Sequence, residues 1–126
     1  MTKIVVWTLQ MAKWRIAEQR QLPTLNTTVK SGIKYLAPDW DFLVDYQKSD
    51  KSSEAEAVYT RKYLKKLDRL LDEDAERLVE ILRMGEVVLM CYCPAGKFCH
   101  RYLLVEKLRE VAEWFGYEFE YAGELT

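Results

Sequence analysis

All three cysteines of this chain and its single histidine lie between positions 91 and 100, as Cys91, Cys93, Cys99 and His100, and Arg101 follows at once. These residue types can do two kinds of chemistry. A thiol beside a cation ionises readily and becomes a nucleophile. Clustered thiolates with an imidazole also hold metal ions. Cys99-His100-Arg101 carries the sharper signal. At a helix start, backbone N–H groups and the helix dipole favour an anion. The first reading makes Cys99 the reactive thiolate and His100 its proton partner, with Arg101, Cys91, Arg15 and Lys30 holding an anionic ligand. Adjacent helical residues point about 100° apart, so His100 could equally serve structure. The inert reading of the triplet is a buried thiol, a helix-capping histidine and an arginine paired with Glu106 or Glu120.

The metal reading takes Cys91, Cys93, Cys99 and His100 as a Cys3His set for zinc. The C-x-C-x5-C-H spacing does not follow the paired pattern of structural zinc sites, and neighbours such as Cys99 and His100 reach one ion only under strain. No metal or other cofactor is therefore expected first, with zinc as the alternative. A phosphatase loop needs five residues between cysteine and arginine. Here Cys93 and Arg101 are separated by seven and Cys99 and Arg101 by one, so the spacing fails and that chemistry is disfavoured. Neither G-x-x-x-x-G-K-[ST] nor G-x-G-x-x-G occurs.

The elements that must position these residues can be read around them. Val87 to Met90 is a continuous apolar run, the mark of a strand buried on both faces. Pro94-Ala95-Gly96 breaks it. From Tyr102 onward Leu104, Leu108, Val111 and Phe115 share a helical stripe. Upstream, Lys3–Thr8 reads as a buried strand and Leu9–Leu22 as a loop with a helical turn. Thr24–Val29 reads as a second strand, followed by a turn at Lys30-Ser31-Gly32. Pro38 and Asp39 open a helix carrying Trp40, Leu43, Val44 and Tyr46. Ser53 and Glu56 have capping-box spacing before a helix with Tyr59, Tyr63, Leu64, Leu67 and Leu71. A further helix carries Leu78, Val79 and Leu82 and ends at Gly85. Tyr117–Tyr121 alternates in period two, as an edge strand does.

This order predicts one α/β domain over residues 1–126, with a small, mostly parallel sheet of about three to four strands and helices packed on it. Ligands bind beyond the carboxyl ends of such strands. If the strands ending near Trp7 and Met90 are neighbours, Lys13, Arg15 and Cys99-His100-Arg101 would face one pocket.

At 126 residues, 31% charged and with net charge −1, the chain has no bulk charge that would draw it to nucleic acid or membranes. No apolar run approaches the ~18 residues of a membrane span. No signal-peptide pattern opens the chain, which leads to an expectation of the cytoplasm, where thiols stay reduced. The basic stripe Arg61, Lys62, Lys65, Lys66 and Arg69 is interleaved with acids such as Asp68 and Asp72, as on a solvated face, so nucleic acid is disfavoured as a partner. The expected partner is a small anionic ligand, phosphate- or nucleotide-like.

The run from Val87 through Cys91-Tyr-Cys93-Pro-Ala-Gly-Lys-Phe-Cys99-His100-Arg101-Tyr-Leu-Leu resembles the signature of the domain-of-unknown-function 488 family, small proteins of bacteria and phages. Thr27-Thr-Val-Lys-Ser-Gly32, Leu36-Ala-Pro38, Tyr59 and Tyr63 agree with it. The resemblance implies an α/β fold and a pocket around Cys91, Cys99, His100 and Arg101. Many members carry an acid two places after the first cysteine, where this chain has Cys93. The resemblance implies no reaction. A thiol-dependent enzyme and a non-catalytic zinc or interaction module are both compatible with it.

Overall fold

The computed structural model describes residues 2–93 and 96–126. The turn expected at Pro94 and Ala95 lies outside the described residues. Among the described residues four parallel strands form one sheet: β1 (Lys3–Gln10), β2 (Thr24–Asn26), β3 (Glu86–Cys91) and β4 (Glu118–Glu124), in the order β2-β3-β1-β4. Five helices accompany it: α1 (Trp14–Gln19), α2 (Trp40–Lys48), α3 (Ser53–Asp74), α4 (Glu76–Arg83) and α5 (His100–Trp114). The expected α/β domain with a parallel sheet is what forms. Among the described residues no helix is long and apolar enough to cross a membrane.

The sheet is central because its strands alternate apolar side chains between two packed faces. Ile4, Val6, Val87 and Leu89 point to one face and meet Phe42, Tyr63, Leu67, Leu78, Leu82, Leu104 and Leu108 from α2–α5. Leu9, Val88 and Met90 point to the other and meet Ala17 of α1 and Leu125. Cys91 stands two residues beyond Leu89, so it shares the face covered by the long helices. Thr8 shares the face of Ile4 and Val6 and is fully buried there.

Several boundaries differ from the sequence reading, each for a local reason. β1 continues to Gln10, because Leu9 and Gln10 still pair with Met90 and Cys91. The segment after it is a 3-10 turn (Met11–Lys13) and the six-residue α1, held by burial of Ala17 rather than by a cap. β2 stops at Asn26, because the Asn26 side-chain oxygen accepts from both the Thr28 N–H (2.9 Å) and the Thr28 hydroxyl (2.7 Å) and turns the chain out of the sheet. The cap of α3 is Ser52, not Ser53: its hydroxyl accepts from Ala55 N–H at 3.2 Å. Asp39 occupies the cap position of α2 but ion-pairs with Lys66 at 2.7 Å instead of capping.

The turn after β2 leaves no room beside Gly32. A side-chain carbon there would collide with backbone atoms of Asn26 and Thr28, none of which can swing aside. Gly32→Ala is expected to cost about 2 kcal/mol or more of stability, read as a lowered thermal midpoint.

Candidate functional site

Cys91 ends β3, Cys93 follows in a bend, and Cys99 stands in extended backbone at the cap position of α5. The strand end and helix start converge, bringing the three sulfurs within 4.8 Å of one another. All three are free thiols; Cys91 and Cys99 are buried and Cys93 is half-buried.

Arg101, fully buried, lies against them. Its Nη1 donates to Cys91 Sγ at 2.8 Å and to the Cys93 carbonyl at 2.7 Å, and lies 3.7 Å from Cys99 Sγ. Nε and Nη2 donate to Glu124 Oε1 at 3.2 and 3.0 Å, and Nη2 also donates to the Tyr102 hydroxyl at 3.0 Å. Glu124 in turn accepts from the Tyr102 hydroxyl and, at 2.8 Å, from Thr8 Oγ1. All five N–H bonds of the guanidinium thus have protein acceptors. Burial disfavours the Arg101 cation, but the sulfurs and Glu124 outweigh it and hold the group charged. Burial likewise disfavours the Glu124 carboxylate; bonds from Tyr102, Thr8 and Arg101 outweigh it and hold the carboxyl below its ordinary 4.5.

The thiols behave as one unit. Hydrogen bonds from Cys91 and then Cys99, with the Arg101 charge nearby, push Cys93 down to about 3. Cys99 moves up, because hydrogen bonding with Cys91 and Cys93 favours its protonated form and because it is buried. Of Cys93 and Cys99, the half-buried Cys93 is therefore the one that ionises more readily.

His100 is buried and its Nε2 lies 2.8 Å from the Thr27 carbonyl oxygen, which only accepts, so Nε2 carries the proton. Thr27 Oγ1 lies 2.9 Å from the same nitrogen and itself donates to the Met90 carbonyl. Nδ1 is left as an acceptor 3.6 Å from Cys99 Sγ. Burial lowers the His100 pKa and keeps the ring neutral. The Tyr63 ring meets the imidazole edge-on at 5.5 Å.

The sulfurs form one wall of an open cavity of about 990 Å³. Trp40, Tyr46, Tyr59, Tyr92 and Phe98 supply aromatic surface, and Lys30, Lys51 and Lys97 also line it, with Glu56 as the only carboxylate among the described lining residues. Trp40 and Tyr92 are more than half exposed, at 54% and 57%. A large cavity with apolar walls and a few convergent polar groups is what small-molecule sites look like.

The structure brings together Cys91, Cys93, Cys99, His100 and Lys30 at the cavity, with Arg101 behind the sulfurs, and leaves Arg15 elsewhere. β1 and β3 are neighbours, as the pocket reading required. However, α1 packs on the opposite face of the sheet, so Arg15 does not line the cavity; its guanidinium stacks on Trp14. Arg101 does not line it either, since its donors are spent on the sulfurs and Glu124. Its carboxylate partner is Glu124, whereas Glu106 pairs with Arg109 and Glu120 with Lys3. Sequence reasoning missed Thr8, Thr27, Tyr102 and Glu124. Only Thr8 gave a signal, as a polar residue on the buried alternation of an apolar strand.

Removing the Glu124 charge tests this network. The depressed carboxyl contributes stability above its ordinary range, and that contribution is lost as pH falls through its folded value. Glu124→Gln is expected to cost about 1–3 kcal/mol at neutral pH, moderated because Glu124 is partly exposed. In thermal melts the gap between the two proteins should narrow as pH falls below 4.5.

The chain matches the family model DUF488-N3a, described as "Active DUF488-N3 subclade", over residues 6–112. No curated protein and no solved structure matches it.

Proposed function

The chain belongs to the DUF488 family, and from that premise we propose that its cavity binds a phosphate-bearing, nucleotide-like small molecule and presents the Cys93 sulfur to it for thiol-dependent chemistry. The carrying observation is the half-exposed Cys93 sulfur beside a buried, fully bonded guanidinium, in the wall of the cavity. A cation held in place favours thiolate over thiol without any motion at the moment of reaction.

The rest of the lining supports this ligand class. Lys30, Lys51 and Lys97 supply three ammonium groups against one carboxylate, Glu56, which favours phosphate over a cationic ligand. Trp40 and Tyr92 offer exposed ring faces at the same mouth, suited to stacking on a planar base. In this reading the expected catalytic pair acts from behind. Cys99 hydrogen-bonds to the Cys93 sulfur, and neutral His100 stands behind it with Nδ1 3.6 Å from Cys99 Sγ. Cys91 and Arg101 hold the cluster's charge rather than the ligand.

Alkylation followed by peptide mapping tests the reading on reduced, chelator-treated protein at neutral pH. Cys93 is expected to react at least about tenfold faster than Cys91 and Cys99, and ATP or GTP should slow it. The charge-reversed pair Lys51→Glu with Lys97→Glu should lose that protection while keeping the reactivity. Equal labelling of the three thiols, or labelling indifferent to both nucleotides, would overturn it.

A further inference from the structure

We infer that Cys91, Cys93 and Cys99 form a site for one zinc-class metal ion, with the fourth coordination position open to the cavity. Three sulfurs within 4.8 Å of one another, none in a disulfide, are an unusual concentration of soft donors. Zinc–sulfur bonds of about 2.3 Å in a tetrahedron place the sulfurs about 3.8 Å apart, so closing on an ion takes only a small contraction.

Charge points the same way. Three thiolates and a divalent ion carry one net negative charge, and Arg101, which donates to Cys91 Sγ at 2.8 Å and is itself fixed by Glu124 and Tyr102, places a cation beside them. Groups that donate to a ligating atom and are anchored in turn tune and orient metal ligands. The three cysteines all line the cavity, so the remaining position faces it. Three protein ligands with one open position is the pattern of reactive rather than purely structural zinc.

The inference shares the sulfur cluster with the reading above and gives it a second state, because a metal-loaded cluster presents no free thiolate. Reduced, chelator-treated full-length protein would be titrated with Zn²⁺ and Co²⁺ and followed by native mass and by thiolate-to-cobalt charge-transfer absorbance. One ion per chain is expected, with at least tenfold weaker binding in Cys93→Ser, whose fold is checked by circular dichroism. In the unmutated protein, one equivalent of Zn²⁺ should block alkylation of all three thiols, whereas Mg²⁺ should not. A metal-free mass in equimolar Zn²⁺, or undiminished binding by folded Cys93→Ser, would overturn the inference. The two readings fail separately. Selective, nucleotide-sensitive labelling of protein that takes up no zinc removes only the metal site. Zinc uptake by protein whose stripped thiols label equally removes only the nucleophile.

Discussion

A buried arginine is the constraint around which this molecule is arranged. Taking a guanidinium out of water costs several kcal/mol unless every donor finds an acceptor. Arg101 meets that condition from three directions. Cys91 and the Cys93 carbonyl come from β3 and the bend after it, Tyr102 from α5, and Glu124 from β4. Thr8 of β1 ties down Glu124. The charge is therefore what registers the start of α5 against the ends of three strands. The sulfurs gather where they do because they are among the acceptors that this cation requires.

The cavity arises from how β2 ends. Asn26 turns the chain out of the sheet after only three paired residues, and the freed backbone at Thr27 takes the His100 ring. β3 is thus left with its last residue open to the helical face. α2 and α3 then wall the gap with Trp40, Tyr46 and Tyr59, and Tyr46 and Tyr59 pack against Phe98 at 5.2 Å. Ligand sites in parallel sheets lie beyond the carboxyl ends of the strands, and this one follows that rule.

The parts legible in the sequence were those governed by periodicity and by local chemistry. The β-branched run before Cys91, the helical stripe after Tyr102 and the glycine stops report burial directly, and the parallel sheet follows from their order. Cys-His-Arg was legible as a site because its residue types seldom adjoin without a reason. What escaped depended on distance in the chain. Glu124 lies 23 residues from Arg101, and Thr27 lies 73 from His100; no local pattern links either pair. Arg15 shows the converse error. Its segment does follow a strand beside β3, but Ala17 is the buried residue of α1, and its burial turns the helix to the far face.

The same long-range dependence bears on how the site forms. Cys91, Cys99 and Arg101 sit within eleven residues of one another, so their contacts are local and form with β3 and α5. The carboxylate that neutralises Arg101 sits near position 126, on an edge strand that pairs with β1. Until that strand docks, the guanidinium has only sulfurs, one carbonyl and one hydroxyl as acceptors, and no resident anion except what the thiols themselves supply. Docking of β4 therefore does more than finish the sheet. It brings the Glu124 carboxylate to the guanidinium, so the counter-charge no longer has to come from the sulfurs alone. The edge strand, remote from the Cys-His-Arg triplet in sequence, thus sets how much charge the thiols must carry.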